Sequence, residues 1–147
     1  MSIVFLYSFP TSFRQAVKLS RAPILTNQVE YHPFINQTSI LEAARALGSS
    51  VTAYSPLAQG RVFDDPVLNE IGEAHGKTPA QIVIRWCAQQ PGVITIPRSS
   101  SPDHIASNND VLDFELTADE MGRITALNAI NERLINPSWA PEWDRAA

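Results

Sequence analysis

A chain of 147 residues is about one domain, long enough to bury a core but short of the ~250 residues typical of a complete parallel eight-stranded barrel. Its net charge of −4 spreads no basic field over the surface, which argues against nucleic acid or an anionic membrane as partner. The single cysteine, Cys87, excludes an internal disulfide framework and suits a reducing, cytoplasmic setting.

The opening MSIVFLYSFP holds a short apolar run, Ile3 to Tyr7, with neither a basic region before it nor a small-residue cleavage site after it. A membrane span needs ~20 apolar residues, so the run predicts a strand rather than a leader or an anchor. Ser12-Phe-Arg-Gln15 has the spacing of a capping box and predicts a helix start. Ile24 to Val29 is a second β-rich run. Ile40, Leu41, Ala44 and Leu47 then repeat with helical spacing, and Gly48 supplies the left-handed position that ends such a helix. Val51 to Tyr54 predicts the next strand. Asp65-Pro66 places a capping carboxylate before a proline whose missing N–H costs nothing in the first turn, and Gly76 closes that helix. Thr78-Pro-Ala-Gln81 is a second capping box, Val93 to Ile96 a further strand, and Thr117-Ala-Asp-Glu120 a third box. From Asn136 onward two prolines and two tryptophans suggest a tail ordered by docking.

Strands alternating with helices at this spacing imply right-handed crossovers and a parallel sheet, an α/β arrangement. Ligands of such folds collect where the strands end. Those ends are Asn27 to Pro33, Tyr54 to Leu57 and Pro97 to Ser99. The last is the most telling: Arg98 follows a strand, Ser99 to Ser101 offer hydroxyl and amide donors, and Pro102 opens a helix whose positive end faces the same corner. Cation, donors and dipole together select an anion, a phosphate above all.

Other reactive side chains read as structural. The three histidines and one cysteine have no metal-ligand spacing. His32 precedes a proline turn, His75 sits in a helix's last turn, and Cys87 follows Trp86 on the apolar side of a helix. Tyr31, beyond a strand end, could reach a cleft, but the only lysines, Lys18 and Lys77, are not placed to tune it. No residue is assigned a catalytic role. On the residues alone Tyr54 reads equally as a barrel aromatic and Gln28 as a buried amide.

Four segments in series, NQVEYHPFINQ, VTAYSPLAQG, DPVLNEIGEAHGKTPAQIVIRW and IPRSSSPDHIASN, resemble the C-terminal half of an aldo-keto reductase, with the likeness running from residue 11 to about residue 128. The ending NERLINPSWAPEWD is similar to the tail of the 2,5-diketo-D-gluconate reductase branch. The resemblance implies a TIM (β/α)8 barrel, here a partial one: parallel strands with outer helices in a single incomplete domain over residues 1–147, with a tail over 129–147. It also implies reduction of aldehydes and ketones with NADPH. Gln28 would bind the nicotinamide carboxamide and Tyr54 would stack on the nicotinamide ring. Ser55 and Leu57 would line the pyrophosphate and ribose path, and Arg98 and Ser99 would hold the adenosine 2′-phosphate. His104 and Asn108 would sit beside the adenine.

This chain departs from the family pattern in three places. His104 stands where the family usually has arginine, and Ser107 where it has glutamate, so one permanent cation is absent from the adenine site. At the first strand end Tyr7-Ser8-Phe9 replaces serine-asparagine-phenylalanine, which removes a carboxamide partner. The family's proton-donating tyrosine, with its lysine, aspartate and histidine, belongs to the N-terminal half and has no counterpart here. A carbonyl substrate would therefore be turned over only with that half supplied. Exposed strand edges would favour self-association, a truncated or mis-started reading frame is an equally economical origin, and a non-catalytic nucleotide-binding or interaction module is the rival reading. Trp139 and Trp143 would offer apolar surface to one wall of the substrate site, with sugar-derived or small dicarbonyls as the expected substrates.

Overall fold

One sheet of four parallel strands, arranged in sequence order, organises this protein. A computed structural model describes residues 3–6 and 9–138. The strands are β1 (Ile3–Leu6), β2 (Ile24–Glu30), β3 (Ser50–Tyr54) and β4 (Val93–Thr95). The returns between them are α1 (Pro10–Leu19), α2 (Thr38–Ala46), and α3 (Pro66–His75) with α4 (Pro79–Ala88). Two more helices, α5 (Pro102–Asn109) and α6 (Ala118–Ala126), follow the last strand. Parallel neighbours can be joined only by such crossovers, so every strand ends on the same edge. The sheet is open: among the described residues β1 and β4 each pair with one neighbour. This is the expected α/β half-barrel.

Alternate side chains of each strand point to opposite faces. Val51, Ala53 and Val93 are buried with Ile40, Ala43, Ile82, Val83 and Trp86 of the helices, which makes that face the core. The opposite face carries Thr26, Gln28, Thr52 and Ile94, in the register Thr26↔Ser50, Gln28↔Thr52 and Thr52↔Ile94. Thr26 and Thr52 share a 2.8 Å hydrogen bond across the strands, and Ile94 is half exposed. No described helix is long and apolar enough to cross a membrane.

The helix starts follow their sequence signals with one exception. Thr78 and Gln81 form a reciprocal capping box, as do Thr117 and Glu120. Asp65 accepts hydrogen bonds from the amides of Val67 and Leu68, and Gly76 ends α3 in the left-handed region at φ 64°. The Ser12–Gln15 box does not form: α1 begins at Pro10, with Phe9 at its cap and no side-chain cap bond. Proline in the first turn has a helical φ already set and no N–H to satisfy, so the chain is helical before Ser12 is reached. Two further expectations, the strand reaching Tyr7 and the tail beyond Ser138 with Trp139 and Trp143, lie outside the described residues.

Gly72 of α3 meets the turn into α4 so closely that an added methyl would stand 2.6 Å from the Lys77 carbonyl oxygen. Backbone cannot yield as a flexible side chain can. Gly72→Ala is therefore expected to lower the unfolding free energy by about 1–3 kcal/mol in a urea titration. Gly122→Ala on α6, where nothing lies within 4 Å, is expected to be neutral or slightly stabilising. An unchanged midpoint for G72A would contradict the packing described.

Candidate functional site

The ends of β2, β3 and β4 lie side by side; of the residues singled out from the sequence, Gln28, Tyr54, Ser55, Leu57, Arg98 and Ser99 belong to these strand ends and the turns that follow, and His104 and Asn108 to α5. Gln28 pairs with Thr52, and two residues further Glu30 pairs with Tyr54, so Gln28, Glu30 and Tyr54 share the face turned away from the helices. Gln28 is half-buried, and among the described residues its carboxamide makes no hydrogen bond. Tyr54 closes β3, where its carbonyl accepts the Tyr31 amide at 3.2 Å.

Past Tyr54 the backbone turns sharply. Ser55, Ala58 and Gln59 adopt φ values of 50°, 48° and 54°, a left-handed conformation that costs a non-glycine residue about 1–3 kcal/mol. The Ala58 amide donates to the Ser55 carbonyl at 3.0 Å and the Gly60 amide to the Leu57 carbonyl at 2.9 Å. Ala58 and Val62 are fully buried, and Leu57 packs on the core. A loop held in this strained shape by packing on both sides keeps its backbone in one conformation.

The corner after β4 is built next to it. The Ile96 amide continues the sheet by donating to the Ala53 carbonyl at 3.1 Å. Arg98 is exposed and, among the described residues, in no ion pair. In this it resembles Arg14, Arg21 and Arg45 and differs from Arg61, Arg85, Arg123 and Arg133, which lie within 4 Å of a carboxylate; what sets Arg98 apart is its place after β4 and before α5. Ser99 Oγ accepts the Ser101 amide at 3.1 Å, which folds the loop onto itself. Ser101 caps α5, its hydroxyl 3.5 Å from the His104 amide, at the outer limit of a hydrogen bond. His104 is exposed and Asn108 half-buried, four residues apart and hence on one side of the helix. The corner thus presents a guanidinium, hydroxyls and a helix N-terminus, opposed by the exposed carboxylate of Asp103 in the first turn.

One component of the rim is absent from the sequence reading. Glu30 is fully buried, and so is His32, whose Nε2 lies 3.0 Å from Glu30 Oε1. The Phe34 amide donates to His32 Nδ1 at 3.2 Å, which makes Nδ1 the acceptor and leaves the proton on Nε2, to be donated to Glu30. The carboxylate also accepts the amides of Leu134 (2.7 Å) and Ile135 (3.1 Å), with Arg133 at 3.7 Å. Burial is the largest influence on this group and pushes its pKa up; the bonds from His32, Leu134 and Ile135 outweigh it, and the net direction is down. Sequence alone could have raised the question only through an acid flanked by Val29 and Tyr31 at a strand end.

Tyr31 corrects an expectation. Rather than reaching a cleft at the rim, it is buried against Trp86, ring centroids 5.1 Å apart, and its hydroxyl donates to Gln90 Oε1 at 2.8 Å. The chain turns after Glu30, and this large ring finds its burial in the helix layer. Lys77 is paired with Asp110 and Asp113, and His75 with Glu120. Cys87 is fully buried, and burial pushes its thiol up to about 12. Among the described residues no group of three or more His, Cys, Asp or Glu is placed to hold a metal ion.

Comparison with known proteins gives this arrangement a context. Residues 8–129 match the aldo/keto reductase family. An aldo-keto reductase of Mycobacterium sp. (strain MCS) is 45% identical over 102 residues, 69% of this chain and 36% of that protein. The glyoxal reductase of Bacillus subtilis (strain 168) is 42% identical over 104 residues, 71% of this chain and 37% of that protein. A crystal structure of a provisionally assigned 2,5-diketo-D-gluconic acid reductase B aligns with a TM-score of 0.92 at 45% identity, covering 95% of this chain and 50% of the other. The Bombyx mori aldo-keto reductase in complex with NADP aligns at 0.81 and 31% identity, covering 89% and 45%. The chain spans about a third of the length of the curated relatives it matches.

Two outcomes follow from the buried groups. Glu30 has a native pKa below its unfolded value, so its contribution to stability is complete above about pH 4.3 and is lost as pH falls through the native value. Urea midpoints measured between pH 7 and 3 should fall on the acid side, and Glu30→Gln should flatten that fall; an equally steep acid limb in the variant would contradict the assignment. Cys87 should stay unreactive towards a colorimetric disulfide reagent at pH 8 until denaturant is added, and prompt labelling of the folded chain would contradict its burial.

Proposed function

Since the chain belongs to the aldo/keto reductase family, we propose that it carries the cofactor-holding half of an NADPH-dependent carbonyl reductase. The bound dinucleotide supplies the hydride, and the residues of this chain hold and orient it. Arg98, Ser99 and the N-terminus of α5 take the 2′-phosphate, with His104 and Asn108 beside the adenine. Ser55 and Leu57, on the strained turn after β3, line the path of the ribose and pyrophosphate. Tyr54 stacks on the nicotinamide ring, and Gln28 binds its carboxamide.

What carries this reading is the position of the Arg98 guanidinium, exposed and in no ion pair among the described residues, between the end of β4 and the N-terminus of α5, on the same rim as Gln28 and Tyr54. Guanidinium forms bidentate, charge-assisted bonds to phosphate, and a helix N-terminus adds partial positive charge. Asp103 opposes an anion there, and His104 is a weaker cation than the arginine the family usually has, so recognition of the 2′-phosphate leans on Arg98. The donor set fits the cofactor, and the NADP bound to the Bombyx mori relative supports the same choice.

Reduction also needs a proton for the developing alkoxide. Tyr31 is a poor source, because burial raises its pKa and its hydroxyl is engaged by Gln90. Lys77 is held by two aspartates. In this reading the proton donor belongs to the remaining half of the barrel, and this chain binds without reducing. The names of two relatives, a glyoxal reductase and the provisionally assigned diketo-gluconic acid reductase, favour small or sugar-derived dicarbonyls as substrates of the whole enzyme.

Nucleotide binding can be followed by quenching of tryptophan fluorescence. Arg98→Ala should weaken NADPH by about 10-fold or more and NADH by no more than about 2-fold. Equal losses for both nucleotides would remove Arg98 from the 2′-phosphate. Mixed with NADPH and glyoxal, the chain alone should show no oxidation of the nucleotide above background. Steady turnover would overturn the claim that proton delivery lies elsewhere.

A further inference from the structure

Residues 131–135 run antiparallel to the segment that leaves β2. Asn131 Oδ1 accepts the Asn36 amide at 3.2 Å, the Glu132 amide donates to the Phe34 carbonyl at 2.9 Å, and the amides of Leu134 and Ile135 end on Glu30. Arg61, from the turn after β3, closes the third side by bonding Glu132 at 2.6 Å and lying 5.6 Å over the Phe34 ring. The outer contacts are exposed and replaceable. The inner one is not: Glu30 and His32 have no exposed surface, and a buried carboxylate that loses its donors pays a large desolvation penalty.

We propose that Glu30 is the positioning residue of the C-terminal segment, its carboxylate fixing residues 131–135 across the strand-end rim beside Tyr54. The inference rests on the reading of that rim as the nicotinamide end of a reductase site, because the segment then forms one wall of the space above it. Glu30 is on the same cross-strand rung as Tyr54, and the Tyr31 amide donates to the Tyr54 carbonyl. The wall and the ring face are thereby tied to one short piece of backbone. Glu30 touches no substrate and acts through the amides of Leu134 and Ile135.

Hydrogen exchange of the full chain tests this without nucleotide or turnover, so its outcome is separate from that of the binding assay above. The Leu134 and Ile135 amides should be protected in the wild type, and Glu30→Gln, which keeps one acceptor oxygen and loses the charge, should speed their exchange by at least about 10-fold. The amides of Ile82 to Cys87 in α4 serve as reporters of the core and should not change. Leu134→Pro removes one donor while leaving Glu30 in place, and should release Ile135 in the same way. The pH profile separates an anchoring charge from passive packing. Wild-type protection, corrected for intrinsic rates, should collapse at acid pH as Glu30 protonates among His32, Arg133, Arg61 and Glu132, whereas E30Q should show no such step. Protection of Leu134 and Ile135 undiminished in E30Q would overturn the proposal. If E30Q instead loses the α4 amides as well, Leu134→Pro decides: release of Ile135 with an intact core supports the anchor, and continued protection refutes it.

Discussion

Parallel pairing leaves a chain no freedom over where its strands finish. Each strand must be followed by a crossover, so every carboxyl end lies on one edge, and because the strands stand in sequence order and such crossovers are right-handed, the returns all pass over the same face. In this protein that constraint collects Gln28, Tyr54 and Arg98, separated by tens of residues in sequence, onto one rim in cross-strand order. The helices cover one face and bury Val51, Ala53 and Val93. Polar and half-exposed side chains are left to the other. The site is a by-product of topology before it is a matter of individual residues.

Charge then differentiates the two ends of the rim. At one end a guanidinium stands exposed beside a helix N-terminus, a setting that attracts an anion from solvent. At the other end a carboxylate is sealed from solvent and satisfied from within by a neutral histidine and two backbone amides. The first arrangement is open to a ligand; the second is closed and serves to hold another part of the chain. Between them the left-handed turn at Ser55, Ala58 and Gln59 is kept in place by buried neighbours, so the spacing of the two ends is set by packed structure.

Much of this was legible in the sequence because the local signals are stereochemical. Asp65-Pro66 and the boxes at Thr78 and Thr117 specify a backbone conformation with their own side chains, and the glycines at 48 and 76 do so by lacking one. The Ser12 box misled because Pro10 starts the same helix earlier, and a fixed φ decides the start where a serine hydroxyl does not. Tyr31 misled for a different reason: alternation along a strand says nothing about a residue just beyond it, where the chain turns and the ring packs on Trp86. Glu30, an acid between Val29 and Tyr31, raises a question that the sequence does not answer. Its partners at 134 and 135 are a hundred residues away, and their contribution is backbone N–H, which every residue but proline carries.

A crystal structure of the chain with NADP+ tests the account most directly. It should place the 2′-phosphate between the Arg98 guanidinium and the first turn of α5, and the nicotinamide ring against Tyr54 with its carboxamide on Gln28. A nucleotide bound elsewhere, with Arg98 folded onto Asp103 and the corner closed to any anion, would contradict it.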